Sequence, residues 1–177
     1  MNVDTDCTGG RHIVLVGMMG AGKSTVGRAL AAQLGRPLFD SDAMIEARAG
    51  RTVREIWVTE GEPAYRVIET GVLLEALADP EPAVIAAAGG VVLSAANRSA
   101  LAESNALVVW LLADVELLLA RVRSGGHRPL LDDDPEAMLR QMYHDRAALY
   151  QEVSDAVISV DHRSVNDVAK AVLRCCG

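Results

Sequence analysis

No stretch of this 177-residue chain stays apolar long enough to span a bilayer, although half of its residues are hydrophobic. Cysteine is scarce: Cys7, Cys175 and Cys176 sit near the two ends and are odd in number. They supply neither a disulfide framework nor the spaced pairs of a zinc site. The adjacent Cys175 and Cys176 read as spare thiols or, alternatively, as a metal-binding pair. Positive charge is short too. A net charge of −7 argues against a general nucleic-acid binder, which needs an electropositive footprint. Internal repeats and low-complexity linkers are lacking, and the length fits one domain with a sizeable core. Residues 1–10 are polar and acidic, without the basic-then-apolar pattern of a leader. They read as a disordered tail ahead of a single domain over 11–177, and the protein is expected in the cytoplasm.

Lysine is scarcest of the cations, with Lys23 and Lys170 set against fifteen arginines. That makes the position of Lys23 informative. It closes the run Gly17-Met18-Met19-Gly20-Ala21-Gly22-Lys23-Ser24-Thr25, which follows the β-branched segment Ile13–Val16. G-x-x-x-x-G-K-S between a strand and a helix is a phosphate-binding loop. Glycines let the backbone turn and aim its N–H groups at an anion, and the following helix adds its positive end. Gly20, Ala21, Gly22, Lys23, Ser24 and Thr25 are therefore candidates for holding ATP. Lys23 reaches the β- and γ-phosphates, and Ser24 offers a hydroxyl to Mg²⁺. A compact ammonium fits between phosphates where a planar guanidinium does not.

Extended and helical segments alternate, which predicts a parallel α/β sheet. Strands are expected at Ile13–Val16, Pro37–Phe39, Ala83–Ala87, Ala106–Leu111 and Ala156–Val160, rich enough in Val, Ile and Leu to be buried on both faces. Helices are expected at Lys23–Leu34, Asp42–Ala49, Thr52–Glu60, Glu62–Leu77, Ala95–Leu101, Val115–Val122, Pro135–Val153 and Val165–Cys175. Gly35 stops the first, and Ser164 caps the last. The stretch from Arg123 to Asp134 is glycine-bearing, then basic, then acidic. It reads as a mobile lid carrying Arg128 or as an ordinary surface loop.

Four further features can converge on the phosphate site. Asp40-Ser41-Asp42 follows the second strand, where carboxylates lie at the ligand-binding edge of an open sheet. One can hold Mg²⁺ through water and the other can accept a hydroxyl proton, while Asp42 can also simply cap the next helix. Arg66 and Glu69, three residues apart, can form an ion pair that aims Arg66 at a carboxylate, or a solvated surface pair. Ala88-Gly89-Gly90 can bring free N–H groups close to a ligand, or make a tight turn. Arg146 on the long helix can be a second anion clamp or an exposed side chain, with Leu149 and Tyr150 as packing.

Together and in this order these features resemble the shikimate kinase family, over nearly the whole chain from Arg11 onward. The resemblance rests on Gly17–Thr25, Asp40 and Asp42, Glu55-Ile56-Trp57, Gly61-Glu62, Tyr65-Arg66, Ile68-Glu69, Gly89-Gly90, Arg128-Pro129-Leu130-Leu131 and Arg146-Ala147-x-Leu149-Tyr150. It implies a three-layer α-β-α fold of the nucleoside-monophosphate-kinase type, a P-loop NTPase with a five-stranded parallel sheet. Substrate-binding helices would occupy about 42–78, and the lid about 123–134. It implies phosphorylation of the 3-hydroxyl of shikimate from MgATP in aromatic amino-acid biosynthesis. Asp42 would be the base, Arg66 and Arg146 the carboxylate clamp, and Gly89 with Gly90 the backbone beside it. Arg128 would act on the ATP phosphates together with catalytic Lys23. Ser24 would ligate Mg²⁺, with Asp40 acting through water. Arg123 and Arg163 match the arginines that flank adenine. A monomer that binds neither nucleic acid nor membrane is expected.

The chain departs from the family pattern at Ala88, where glycine is usual, at Trp57, where phenylalanine is usual, and at Pro63 beside the Arg66 helix. A kinase of gluconate or another polyol acid, and a nucleotide-binding protein without catalysis, are the competing readings.

Overall fold

The computed structural model describes residues 9–124 and 134–175, without the side chains of 123 and 124. Five parallel strands form one sheet: β1 (Ile13–Val16), β2 (Leu38–Asp40), β3 (Val84–Ala86), β4 (Leu107–Leu112) and β5 (Ala156–Ser159). Their spatial order is β2-β3-β1-β4-β5. Ile13 pairs with Val84 on one side and Leu107 on the other, so the strand feeding the phosphate loop lies at the centre. The expectation of burial on both faces holds for β1 and β3, every residue of which is buried. It fails for β2 and β5, the two edges, which are only partly covered. An edge strand lacks one neighbour, and its Val and Ile content does not supply one.

Helices α1 (Lys23–Leu34) and α7 (Val165–Arg174) pack together on one face, against β1–β3 and β5 respectively. α4 (Ala95–Glu103) and α5 (Val115–Ser124) each pack against α6 (Pro135–Val153), and α6 lies on β4. The result is the three-layer arrangement expected of alternating strands and helices. The main core is built from the strands with Leu30, Leu73, Leu118, Leu139 and Tyr150, all but sealed from solvent. Each such side chain contributes about 1.5–3 kcal/mol by leaving water. Among the described residues, no helix is long and apolar enough to cross a membrane.

Helices α2 (Ser41–Ala49) and α3 (Val53–Leu77) stand off the β2 edge around an apolar nucleus of their own: Ile45, Ile56, Tyr65 and Val72. The sequence separates two helices at Gly61, and α3 indeed bends there, with φ 80° and ψ 176°. Pro63 then falls in the first turn of the second segment, where a missing N–H costs little. Thr52 starts the first segment with a reciprocal cap: its hydroxyl accepts from Glu55 N, and the Glu55 carboxylate accepts from Thr52 N. Thr52 N and the Thr52 hydroxyl both donate to the Glu55 carboxylate and hold it below the usual glutamate range. Gly35 and Ser164 end and start α1 and α7 as the sequence indicates.

Candidate active site

The phosphate loop runs from β1 into α1. Gly17, Gly20 and Gly22 all have positive φ. At Gly17 the need for glycine is also steric, since a Cβ would lie 2.6 Å from the Leu111 carbonyl oxygen. The Lys23 ammonium folds back and donates to the carbonyls of Gly17 at 2.8 Å and Met18 at 3.0 Å. The loop is thus braced by the cation that its sequence predicts will face phosphate.

A cleft of about 500 Å³ opens above it. Gly20, Ala21, Gly22, Lys23, Ser24 and Thr25 line it together with Asp40, Asp42, Ala88 and Gly89. The strand–helix junction sets the two aspartates. β2 extends to Asp40, whose carboxylate accepts from Asp42 N at 3.2 Å and so caps α2. The capping role considered for Asp42 belongs to Asp40. Asp42 sits in the first turn of α2, where a negative charge is favoured by the helix dipole, and faces the cleft.

Past Gly89 lies a dense ionic cluster. The Arg66 Nη1 donates to both Glu69 oxygens at 2.9 Å, and Nη2 reaches Glu62 at 2.8 Å. Its guanidinium also lies against two rings, 5.7 Å from the Trp57 centroid and 5.2 Å from that of Tyr65. Burial opposes the Arg66 charge, but Glu69 and Glu62 outweigh it and hold the group above its usual value. Glu69 is almost fully buried. Burial pushes its carboxyl above the glutamate range, against the pull of Arg66 and Arg146. The solvated-pair alternative for Arg66 and Glu69 is therefore excluded. Arg146 is buried as well, not an exposed helical arginine, and its Nη1 lies 3.4 Å from the Gly89 carbonyl oxygen. The backbone at Ala88 has no positive φ, so alanine is unstrained where the family has glycine. Gly90 is different: a Cβ there would collide with the Arg66 guanidinium.

Arg163 also lines the cleft and donates to the Ser159 and Asp167 carbonyls at 3.3 and 3.0 Å. Arg121 lines it too, donating to the Gly20 carbonyl at 2.9 Å. The sequence reading selects Arg123 and misses Arg121. The Arg123 side chain, and Arg128 with nearly all of the expected lid, lie outside the described parts. So do residues 1–8 of the expected N-terminal tail. The second missed group is Tyr150, read as packing, whose hydroxyl donates to the Gly89 carbonyl at 2.5 Å.

The arrangement offers an anion cradle, a carboxylate facing it across a cleft, and two buried arginines beyond. A family model for shikimate kinase matches residues 19–176. A shikimate kinase of Symbiobacterium thermophilum is 44% identical over 165 residues, spanning 92% of this chain and 94% of the relative. The structure of the Acinetobacter baumannii shikimate kinase in complex with shikimate superposes with a TM-score of 0.88 at 41% identity, covering 93% of this chain and 91% of that one. A gluconokinase of Sinorhizobium meliloti reaches a TM-score of 0.59 at 20% identity over 94% of this chain and 91% of its own, a likeness of fold alone. The chain belongs to the shikimate kinase family.

Proposed function

We propose that the groups around the cleft divide the family's reaction among them as follows. The reaction is ATP-dependent phosphorylation of the 3-hydroxyl of shikimate, giving shikimate 3-phosphate and ADP. The observation that carries the division is that Lys23 and Ser24 line the same cleft as Asp42 and Gly89. One substrate lies at each end, and the transferred group passes between them.

The Gly20–Thr25 backbone and Lys23 hold the ATP phosphates, and Arg128 adds charge where the transferring group is most negative. Arg121 and Arg163 flank the nucleotide. Asp42 orients the attacking hydroxyl and takes its proton. Arg66 and Arg146, beside the Gly89–Gly90 backbone, hold the substrate carboxylate and so fix the line of attack. Ser24 and Asp40 both face the cleft, and their hard oxygen donors suit Mg²⁺. Among the described residues no set of three metal-binding side chains occurs. Mg²⁺ would be carried mainly by phosphate and water, with Ser24 as ligand and Asp40 acting through water. Bound there, it would neutralise phosphate charge. The reading is completed by a cytoplasmic monomer.

The test is ADP release from MgATP with shikimate or gluconate as acceptor. Stimulation by shikimate alone is expected. Stimulation by gluconate, or by neither, overturns the assignment of the acceptor end.

A further inference from the structure

Tyr150 has no place in the roles above. Packing accounts for its ring, which is fully buried and stacked on Trp110 with centroids 5.7 Å apart. Packing does not account for its hydroxyl. Phenylalanine would fill the same space without the cost of burying a polar group.

That hydroxyl stands at a junction of three elements. It donates to the Gly89 carbonyl at 2.5 Å, and the Met18 sulfur of the phosphate loop lies 3.8 Å away. Arg146, one helical turn earlier on α6, hydrogen-bonds the phenol and lies 3.4 Å from the same carbonyl. Gly89 in turn rests on the phosphate loop: a Cβ there would meet Met19 N at 3.4 Å and the Gly17 carbonyl at 3.5 Å. A buried guanidinium needs acceptors for its donors, and here the phenol and the Gly89 carbonyl serve together. Burial pushes the phenol up to about 12, so it remains a neutral donor throughout the working range of pH.

We propose that Tyr150 is a positioning residue for phosphoryl transfer, its hydroxyl fixing the Arg146 guanidinium and the Gly89 peptide in one geometry against the phosphate loop. This rests on the reading of Arg146 as part of the carboxylate clamp. Tyr150 itself touches no reacting atom, so its effect must appear through Arg146.

The experiment compares Tyr150→Phe, Arg146→Lys and the double variant by steady-state kinetics, with ADP affinity measured directly. Tyr150→Phe is expected to raise the shikimate KM about tenfold, the worth of one hydrogen bond to a charged group. The KM for ATP and the ADP affinity should stay within about twofold, since one uncharged contact is lost at the other end of the site. The double variant should cost little more than Arg146→Lys, because contacts in one network are not additive. The proposal is overturned if Tyr150→Phe behaves as wild type, if both KM values move together, or if the two effects multiply. Should Arg146→Lys leave the shikimate KM unchanged, the clamp itself is refuted. A raised KM in that variant with a silent Tyr150→Phe removes only Tyr150.

Discussion

Gly90→Ala isolates the reason for one glycine. Backbone freedom is not that reason, because Gly90 has φ −93° and ψ −3°, which any residue adopts. Space is the reason. The added methyl would land on the Arg66 guanidinium, with even Nη2 only 2.6 Å away. Arg66 is held by Glu69, Glu62 and two rings, so yielding means giving up its two-oxygen bond to a carboxylate that is 1% exposed. Hydrogen bonds to charged groups are worth about 1.5–3 kcal/mol each. Loss of that much in acceptor binding raises the shikimate KM between about tenfold and a hundredfold. The phosphate loop is untouched, so the KM for ATP should hold. The assay is steady-state kinetics with each substrate titrated in turn, with ADP binding as a check on folding. In an Arg66→Ala background the methyl has nothing to strike, and no further loss is expected. A shikimate KM within about twofold of wild type for Gly90→Ala would refute the steric argument, because one lost charged bond already exceeds that.

Asp42→Asn should keep its ATP affinity and lose about 10²–10⁴-fold in turnover, the range of general-base catalysis; kcat measured with both substrates saturating decides, and near-normal turnover removes Asp42 from the chemistry. Arg121→Ala should raise the KM for ATP about tenfold with little change for shikimate, whereas an unchanged ATP KM would leave Arg121 as a brace for Gly20 alone. Thr52→Ala should lower Tm by about 2–4 °C at neutral pH through loss of the helix cap. Because Thr52 depresses the Glu55 carboxyl, that stabilisation is present above the unfolded pKa and fades as pH falls through the folded one. Thermal melts of the variant and wild type should therefore draw closer in acid, and a constant gap would contradict the Glu55 half of the cap.

What could be read in the sequence follows from how far apart the interacting residues lie. Gly17 to Thr25 carries the signal for its loop and its helix within nine residues, and the structure agrees on both. Caps are equally local, which is why Gly35 and Ser164 stand where the sequence puts them. Asp40 and Asp42 show the limit: either can cap a helix, and the choice depended on where β2 ends, one residue later than its apolar run suggests. The Tyr150 bond to Gly89 spans 61 residues, and a tyrosine between leucine and glutamine on an amphipathic helix carries no mark of it. Arg66 gave a mixed signal. Its spacing to Glu69 was visible, but spacing does not show that Glu69 is buried or that the Trp57 ring, across the Gly61 bend, lies 5.7 Å from the guanidinium.

The separate apolar nucleus between α2 and α3 has a thermodynamic consequence. Proteins open in cooperative pieces whose free energies lie below that of global unfolding, and a piece with its own small core can open alone. Amide exchange should accordingly divide into two populations, slow in β1, β3 and β4, faster and concerted across α2 and the part of α3 before Leu73, which belongs to the main core. The layer that opens carries Asp42 and Arg66 together, while Gly17 to Thr25 stays with the sheet. A molecule caught in that state still cradles a nucleotide and has no grip on an acceptor, so the fluctuation that costs least is one that idles the enzyme without emptying it.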